Sequence, residues 1–423
     1  MHGNFGEVEE GWSRQQVIDE GNRCLQCPKP LCVEGCPAKI DIKEFILKAR
    51  EGDFQGALET IREKNYLPSF CGRVCDFEKQ CEGACILAKA GNEIKIGKIE
   101  RFLGDLEESK GERKKRIGKK VAVVGSGPAG ISAALELSLN GVDVKLFEEM
   151  EDFGGIPQYA IPEFRLPKKV VEKEEKKVKT AGIEVETNKK LGKDLKLSEL
   201  TKNFDAIILA IGGGPSGKLD YVGAELDGVR VANSFLKRAN KGEDIPLGEK
   251  TVVIGGGNVA IDAARTASRL GSKTIIAYRR TEKEMPAIVS EIAHAKEDGV
   301  EFSFLLSPKR FEGAGKLEKV VFDGMELGGE DAKGRRKPVP TGNEEAIECS
   351  SCIVAIGQRA EEELLNGEGL ALNEWGNIKV DGNFRTNLEN VYSVGDSVTG
   401  PKTVIEAGRD GKILGKKLLE SFK

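Results

Sequence analysis

Histidine is nearly absent: the 423 residues include two, His2 and His294, and both lie outside every motif of the chain. Each reads as an ordinary surface residue. The first twenty residues hold no apolar stretch fit for a signal peptide, and no run approaches the ~20 apolar residues that span a bilayer. A reducing cytoplasm without membrane insertion is the expectation, and disulfides are disfavoured there. An excess of one charge is missing too. Lys+Arg 65 against Asp+Glu 69 leaves a net charge of -4, which argues against a general nucleic-acid binder. The length fits about two to four domains.

Cysteine is concentrated in one place. Eight of ten fall in the first fifth of the chain, as C-x2-C-x4-C-x3-C at Cys24, Cys27, Cys32 and Cys36, then C-x3-C-x5-C-x3-C at Cys71, Cys75, Cys81 and Cys85. Two thiolate quartets ahead of a flavin-type glycine fingerprint point to iron–sulfur clusters exchanging electrons with a flavin. The first quartet, with Pro37 directly after it, resembles a ferredoxin run whose fourth cysteine serves the other cluster, so ligation need not follow the sequence blocks. Zinc in tetrahedral S4 sites is the alternative. Cys349-x2-Cys352 precedes an expected strand at Ile353 to Ile356 instead of opening a helix. It reads as buried structural thiols, with a redox pair as the alternative.

Residues 1–110 read as a helical domain: Asp41 with Glu44 makes a capping-box start for a face of Ile42, Phe45, Ile46 and Ala49, and Asp53 caps the next helix. Gly111 to Lys120 reads as a solvated basic linker, with a docking patch for an acidic partner as the alternative. An internal repeat follows. A strand, Gly125-Ser-Gly127-Pro128-Ala129-Gly130, a helix and the strand Val142 to Phe147 are matched by Gly255-Gly-Gly257-Asn258-Val259-Ala260, a helix and the strand Thr274 to Tyr278. Two such frames imply two dinucleotide sites. Glu148, ending the second strand of the first copy, suits the ribose of FAD; Arg279 and Arg280 at the equivalent place favour the 2′-phosphate of NADP(H). Gly395-Asp396 reads as a turn whose carboxylate meets ribityl hydroxyls. The helix starting near Thr403 could face the flavin pyrimidine edge and favour an anionic reduced flavin. The fold class is α/β: an iron–sulfur domain, then two Rossmann-like domains with the NADP domain (219–352) inserted into a discontinuous FAD domain (111–218 and 353–423).

These motifs, with "CGRVCDFEKQCEGAC", "IGKIERF", Gly154-Gly155, "IPEFRLPK", "YRRTEKEMPA" and "VYSVGDSVTGPKTVIEAGRDG", resemble the glutamate synthase small (beta) subunit family. They are similar also to the large subunit of NADH-dependent ferredoxin:NADP oxidoreductase and to the N-terminal half of dihydropyrimidine dehydrogenase. The resemblance runs from about Cys24 to the C-terminus. It implies FAD, NADP(H) and two [4Fe–4S] clusters with crossed ligands: Cys24, Cys27, Cys32 and Cys85 for one, Cys36, Cys75, Cys81 and Glu100 for the other. Cys71 is then a free, buried thiol. Pro157 and Gln158-Tyr159-Ala160 depart from the family pattern, as does Lys402 before Thr403; Lys402 and Thr403 are candidates for a place beside the flavin.

The chemistry implied is hydride transfer from NADPH to FAD followed by single-electron transfer to the clusters, which needs no His, Ser or Cys nucleophile. The expected acceptor is a partner chain: a glutamate synthase large subunit, ferredoxin or another flavoprotein. The sequence carries no glutaminase or FMN-barrel motif, so in glutamate synthesis that half comes from the partner. A transhydrogenase or bifurcating subunit is the second reading, and a non-catalytic redox-sensing or assembly module the third.

Overall fold

Asp41 and Asp53 each cap a helix in the computed structural model, which describes residues 4–107, 113–214, 220–331, 334–357 and 361–422. The Asp41 carboxylate accepts from Glu44 N (3.1 Å) to open Ile42–Arg50, and Asp53 accepts from Gly56 N (2.9 Å) to open Phe54–Arg62. The buried face of the first is the expected Ile42, Phe45, Ile46 and Ala49. Together with Pro68–Val74 and Ile96–Leu106, these helices enclose an apolar core that also contains Cys36, Cys71, Cys75 and Cys81. Ile405, far along the chain, completes that core.

Two parallel sheets follow. Strands β1 (Lys120–Val124), β2 (Asp143–Phe147), β3 (Glu184–Glu186) and β4 (Ala206–Leu209) come first, then β5 (Val229–Val231), β6 (Lys250–Ile254), β7 (Lys273–Tyr278) and β8 (Glu301–Phe304). Strands β9 (Leu306–Glu312), β10 (Lys319–Glu330) and β11 (Arg336–Glu348) form an antiparallel sheet; β12 (Ser351–Val354) and β13 (Val391–Ser393) end the series. The first sheet runs β13-β4-β1-β2-β3 and the second β5-β12-β6-β7-β8, each with five strands. Their central strands are near-continuous apolar runs, as strands buried on both faces require.

Contact clustering divides the chain into one unit of Met1–Gly6, Tyr159–Phe164 and Ser216–Gly357, and another of Glu7–Gln158, Arg165–Pro215 and Gln358–Lys423. The expected boundary at residue 353 cuts through β12, whose Ser351–Val354 pairs with both β5 and β6 in the second sheet. The chain therefore leaves that unit after Gly357. The helical segment through Leu106 shares a unit with the first sheet, because its core is closed by the C-terminal helix Val404–Ser421. Of the supposed basic linker, residues 111 and 112 lie outside the described residues, as do 108–110 before it, and the rest is anchored. Arg113 donates to Val142 O and Asp143 Oδ1 (2.7 Å each), while Lys114 N and Ile117 N donate to Leu139 O and Gly141 O (3.0 Å each). Among the described residues no helix is long and apolar enough to cross a membrane.

A buried polar knot joins the cysteine-bearing helices to the first sheet's layer. Lys412 Nζ lies 3.0 Å from Glu136 Oε2 and 3.3 Å from the Tyr66 ring centroid, and Tyr66 OH donates to the same Glu136 oxygen (2.9 Å). Lys177 Nζ donates to Tyr66 O (2.7 Å) and pairs with Glu107 and Glu174.

Candidate redox-cofactor sites

The first glycine turn is shaped by what a side chain would strike. Gly125 has φ +107°, and a Cβ there would lie 2.2 Å from the Ala210 carbonyl oxygen. A Cβ on Gly130 would lie 1.9 Å from Gly125 O, so this glycine lets the helix Pro128–Leu139 seat on β1. Around Gly127 the Cβ position is open, and this residue caps the helix without a side-chain partner. Pro128 loses nothing at the first helical position, and Ala129 and Gly130 carry the N–H groups of an anion-binding end. Gly154 N donates to Ser126 Oγ (2.8 Å), and a Cβ on Gly155 would lie 3.1 Å from Gly127 Cα.

Glu148 is buried and fixed. Its Oε2 accepts from Ser126 N (2.9 Å) and Ser126 Oγ (2.5 Å), and Oε1 accepts from Met150 N (2.9 Å) with capacity left for a ribose hydroxyl. Gly395, at φ +76°, brings the next element against this turn, since a Cβ would lie 2.8 Å from Ala129 Cβ. Asp396 follows, its carboxyl pushed up to about 6 by burial against the opposing pull of the Lys402 amide. Thr403 does something narrower than the motif suggested: its hydroxyl donates to Glu406 Oε2 (2.6 Å) in a capping box that starts Val404–Ser421. Lys402 is exposed, its Nζ 3.9 Å from Glu406 Oε1. The Lys402 amide also donates to Asp396 Oδ1 (3.1 Å).

The second turn repeats the first with one change. Gly255 has φ +144° and would drive a Cβ to 2.6 Å from Ala355 O, Gly257 is open but for Pro286 Cγ at 3.9 Å, and Ala260 fits 3.1 Å from the Gly255 Cβ position. Asn258 Oδ1 accepts from Ile288 N (2.9 Å), and Val259 is exposed at the helix start. Gly256 was not singled out by the sequence, yet a Cβ there would lie 2.5 Å from the Tyr278 ring. The two arginines separate. Arg279 is exposed, whereas Arg280 is buried, its Nε donating to Arg336 O (2.7 Å) and its Nη2 3.4 Å from Asp331. Of the two arginines expected at a nucleotide phosphate, Arg280 is thus held at the β7 end by β11 and Asp331, and Arg279 is left exposed.

The cysteines sort across their sequence blocks. Cys24, Cys27, Cys32 and Cys85 line one apolar cavity of about 380 Å³, with Ile42 and Ile94 behind them. Burial pushes the Cys32 thiol up to about 11, and Cys24 and Cys85 add to it as charge neighbours. Gln26, at φ +51°, donates from Nε2 to Cys24 Sγ (3.5 Å). Cys36, Cys75 and Cys81 form a deeper set around Glu100. The Cys81 thiol is raised by burial first and then by Glu100; that of Cys75 is raised first by a hydrogen bond with Cys71. Glu100 is pushed up to about 8 by burial, and Asn65 Nδ2, donating to Oε1 (2.9 Å), pulls it back. Among the described residues no three His, Cys, Asp or Glu side chains are close enough to grip a single metal ion. Cys349 and Cys352 lie in an apolar core with their thiols raised by burial, which leaves them inert.

Residues 119–411 match the family described as pyridine nucleotide-disulphide oxidoreductase, and residues 1–112 match dihydropyrimidine dehydrogenase domain II, 4Fe-4S cluster. The chain is 35% identical to the glutamate synthase [NADPH] small chain of Escherichia coli (strain K12), over 96% of this chain and 92% of that one. The chain belongs to the glutamate synthase small-chain family. It is an NADPH-dependent oxidoreductase whose cofactors are FAD and [4Fe–4S] clusters. It is also 32% identical to the NADP(+)-dependent formate dehydrogenase subunit beta of Moorella thermoacetica, over 90% of this chain and 58% of that one. Mycobacterium tuberculosis FprA in complex with NADPH shares the fold: TM-score 0.61 at 23% identity, over 71% of this chain and 84% of that one. The residues present fit these groups, with open Cβ positions at both glycine turns, four thiols around one cavity, and a buried carboxylate among three more thiols.

Proposed function

We propose that the chain passes electrons from NADPH, by way of FAD and two [4Fe–4S] clusters, to a glutamate synthase large chain. The observation that carries this reading is an exit. The cavity lined by Cys24, Cys27, Cys32 and Cys85 is rimmed by Leu25, Leu31 and Ile86, which are 62%, 49% and 47% exposed. Apolar surface gathered around a redox centre suits docking of an acceptor.

In this reading Cys24, Cys27, Cys32 and Cys85 hold one cluster, and Cys36, Cys75, Cys81 and Glu100 hold the other. The Gly125 turn cradles the FAD pyrophosphate, Glu148 takes the ribose and Asp396 the ribityl chain. The Gly255 turn takes the NADP pyrophosphate, and Arg279 pairs with its 2′-phosphate. The helices through Leu106, the first sheet and the second sheet are then the iron–sulfur, FAD and NADP domains. When bound, FAD converts the hydride pair of NADPH into the single electrons that clusters accept. The chain's own residues supply position and dryness: backbone N–H groups hold phosphates, and the core around Phe45, Ile46 and Phe102 keeps water from the deeper thiols.

Copurification of the native complex tests the partner, and anaerobic mixing with NADPH tests the chemistry. Immediate flavin bleaching with recovery of a large glutamate synthase chain is expected. A flavin that stays oxidised, or recovery with no redox partner, overturns the proposal. Similarity to the formate dehydrogenase subunit favours a second reading, in which the same exit serves a different oxidoreductase.

A further inference from the structure

Asn65 stands between the deeper thiol set and the first sheet's layer, and its amide orientation is determined by its neighbours. Leu67 N can only donate, and it reaches Asn65 Oδ1 at 2.9 Å. The opposite edge must then be Nδ2, which donates to Glu100 Oε1 at 2.9 Å. Asn65 is 2% exposed and Glu100 5%, so no water competes for either group. The turn that carries Asn65 is itself immobilised, because Lys177 Nζ donates to Tyr66 O (2.7 Å) and Tyr66 OH to Glu136 (2.9 Å). Glu100 thus meets a donor whose position is set before any ligand arrives.

We propose that Asn65 is the positioning residue for the carboxylate ligand: it occupies one Glu100 oxygen so that iron takes the other, and it draws charge from the ligand so that this cluster is easier to reduce. The proposal rests on the reading of Glu100 as a ligand. Groups behind a metal ligand orient it and tune the metal in this way. A donor aimed at a charged acceptor binds it more strongly than a neutral one, so losing it should move the reduction equilibrium by about tenfold.

The test uses full-length protein prepared anaerobically, with iron content, low-temperature EPR and a redox titration as readouts. Asn65→Asp keeps the acceptor for Leu67 N and replaces the donor to Glu100 with a second carboxyl, and the uncharged Asn65→Leu separates loss of the donor from the added charge. Asn65→Asp should make the Glu100-ligated cluster at least tenfold harder to reduce, or cost that cluster's iron, with the signals of the Cys24 cluster unchanged. Asn65→Leu should harden reduction of the same cluster. The double substitution Asn65→Asp with Glu100→Gln reverses donor and acceptor and should restore iron content and bring the reduction equilibrium back toward the native value. Normal EPR and potential in both single Asn65 variants, with Glu100→Ala perturbed, would overturn the role of Asn65 and leave Glu100 as a ligand. No change in Glu100→Ala either would remove the ligand reading beneath it. A double variant no better than Asn65→Asp, while Glu100→Gln alone is normal, also counts against the proposal.

Discussion

Arg279 and Arg280 are adjacent in sequence and opposite in fate. The exposed Arg279 can meet a nucleotide phosphate, while Arg280 is committed to Arg336 O and Asp331. Arg279→Ala should raise the KM for NADPH about tenfold or more and leave that for NADH nearly unchanged, as steady-state kinetics will read. Arg280→Ala should instead lower stability by about 1–3 kcal/mol with little change in nucleotide preference, measured by thermal melting. The same contrast holds at the deeper thiol set. Glu100→Ala should perturb one cluster and Cys71→Ala neither, although Cys71 is as buried as the thiols around it; loss of a cluster in Cys71→Ala alone would reverse the ligand set. Spacing could not separate these cases. Sequence gives residue type and order, but Arg280 is spent by a carbonyl on β11, and Cys85 joins Cys24 only because the chain folds back. That Cys85 shares a cavity with Cys24 was legible only through family resemblance; Asn65 and Gln26 carried no signal, since an amide placed by its folded neighbours has no spacing rule.

At the scale of elements, the two strand–turn–helix–strand frames were plain in the sequence, because a glycine that prevents a backbone clash leaves a fixed mark. The 1.9 Å approach at Gly130 and the open position at Gly127 predict different failures. Gly130→Val should unseat the helix from β1, giving protein with little flavin and a lowered melting temperature. Gly127→Ala should leave the melting temperature of flavin-free protein unchanged, yet weaken FAD binding by crowding the pyrophosphate, as flavin content and titration will show. Equal melting losses in the two variants would refute this account. Element boundaries were less legible. The strand expected at Ile353 to Ile356 is Ser351–Val354, since its partners β5 and β6, not its own propensity, fix its register. The supposed linker proved partly anchored because Arg113 finds Asp143, a contact that charge pattern alone reads as solvation.

At the scale of the whole chain, the knot of Tyr66, Glu136 and Lys412 makes stability depend on pH. Burial lowers the Lys412 pKa to about 8, against the pull of Glu136, from the 10.5 usual for lysine. Between those values the folded protein binds fewer protons than the unfolded chain, so this group's contribution rises with pH across the window; its cost is fully present below pH 8 and relieved above 10.5. Denaturant titrations of the native protein and of Lys412→Met should show a stability difference that climbs by about 3 kcal/mol from pH 8 to 10.5. A flat difference would place the lysine in a wetter setting.

The edge position of β13 has a consequence in time. β4 pairs with β1 on one side and with β13 on the other, yet Leu209 and Val391 are separated by the whole run that builds the second sheet. At translation speeds of roughly 5–20 residues per second, the outer flank of β4 stands bare on the ribosome for about ten to forty seconds. In that interval the second sheet emerges with all five of its strands. A nascent chain stalled once Gly357 has cleared the exit tunnel, but before Val391 has, should therefore protect the second sheet against pulse proteolysis while the first remains cleavable, and FAD should be captured only after the last helix has left the tunnel.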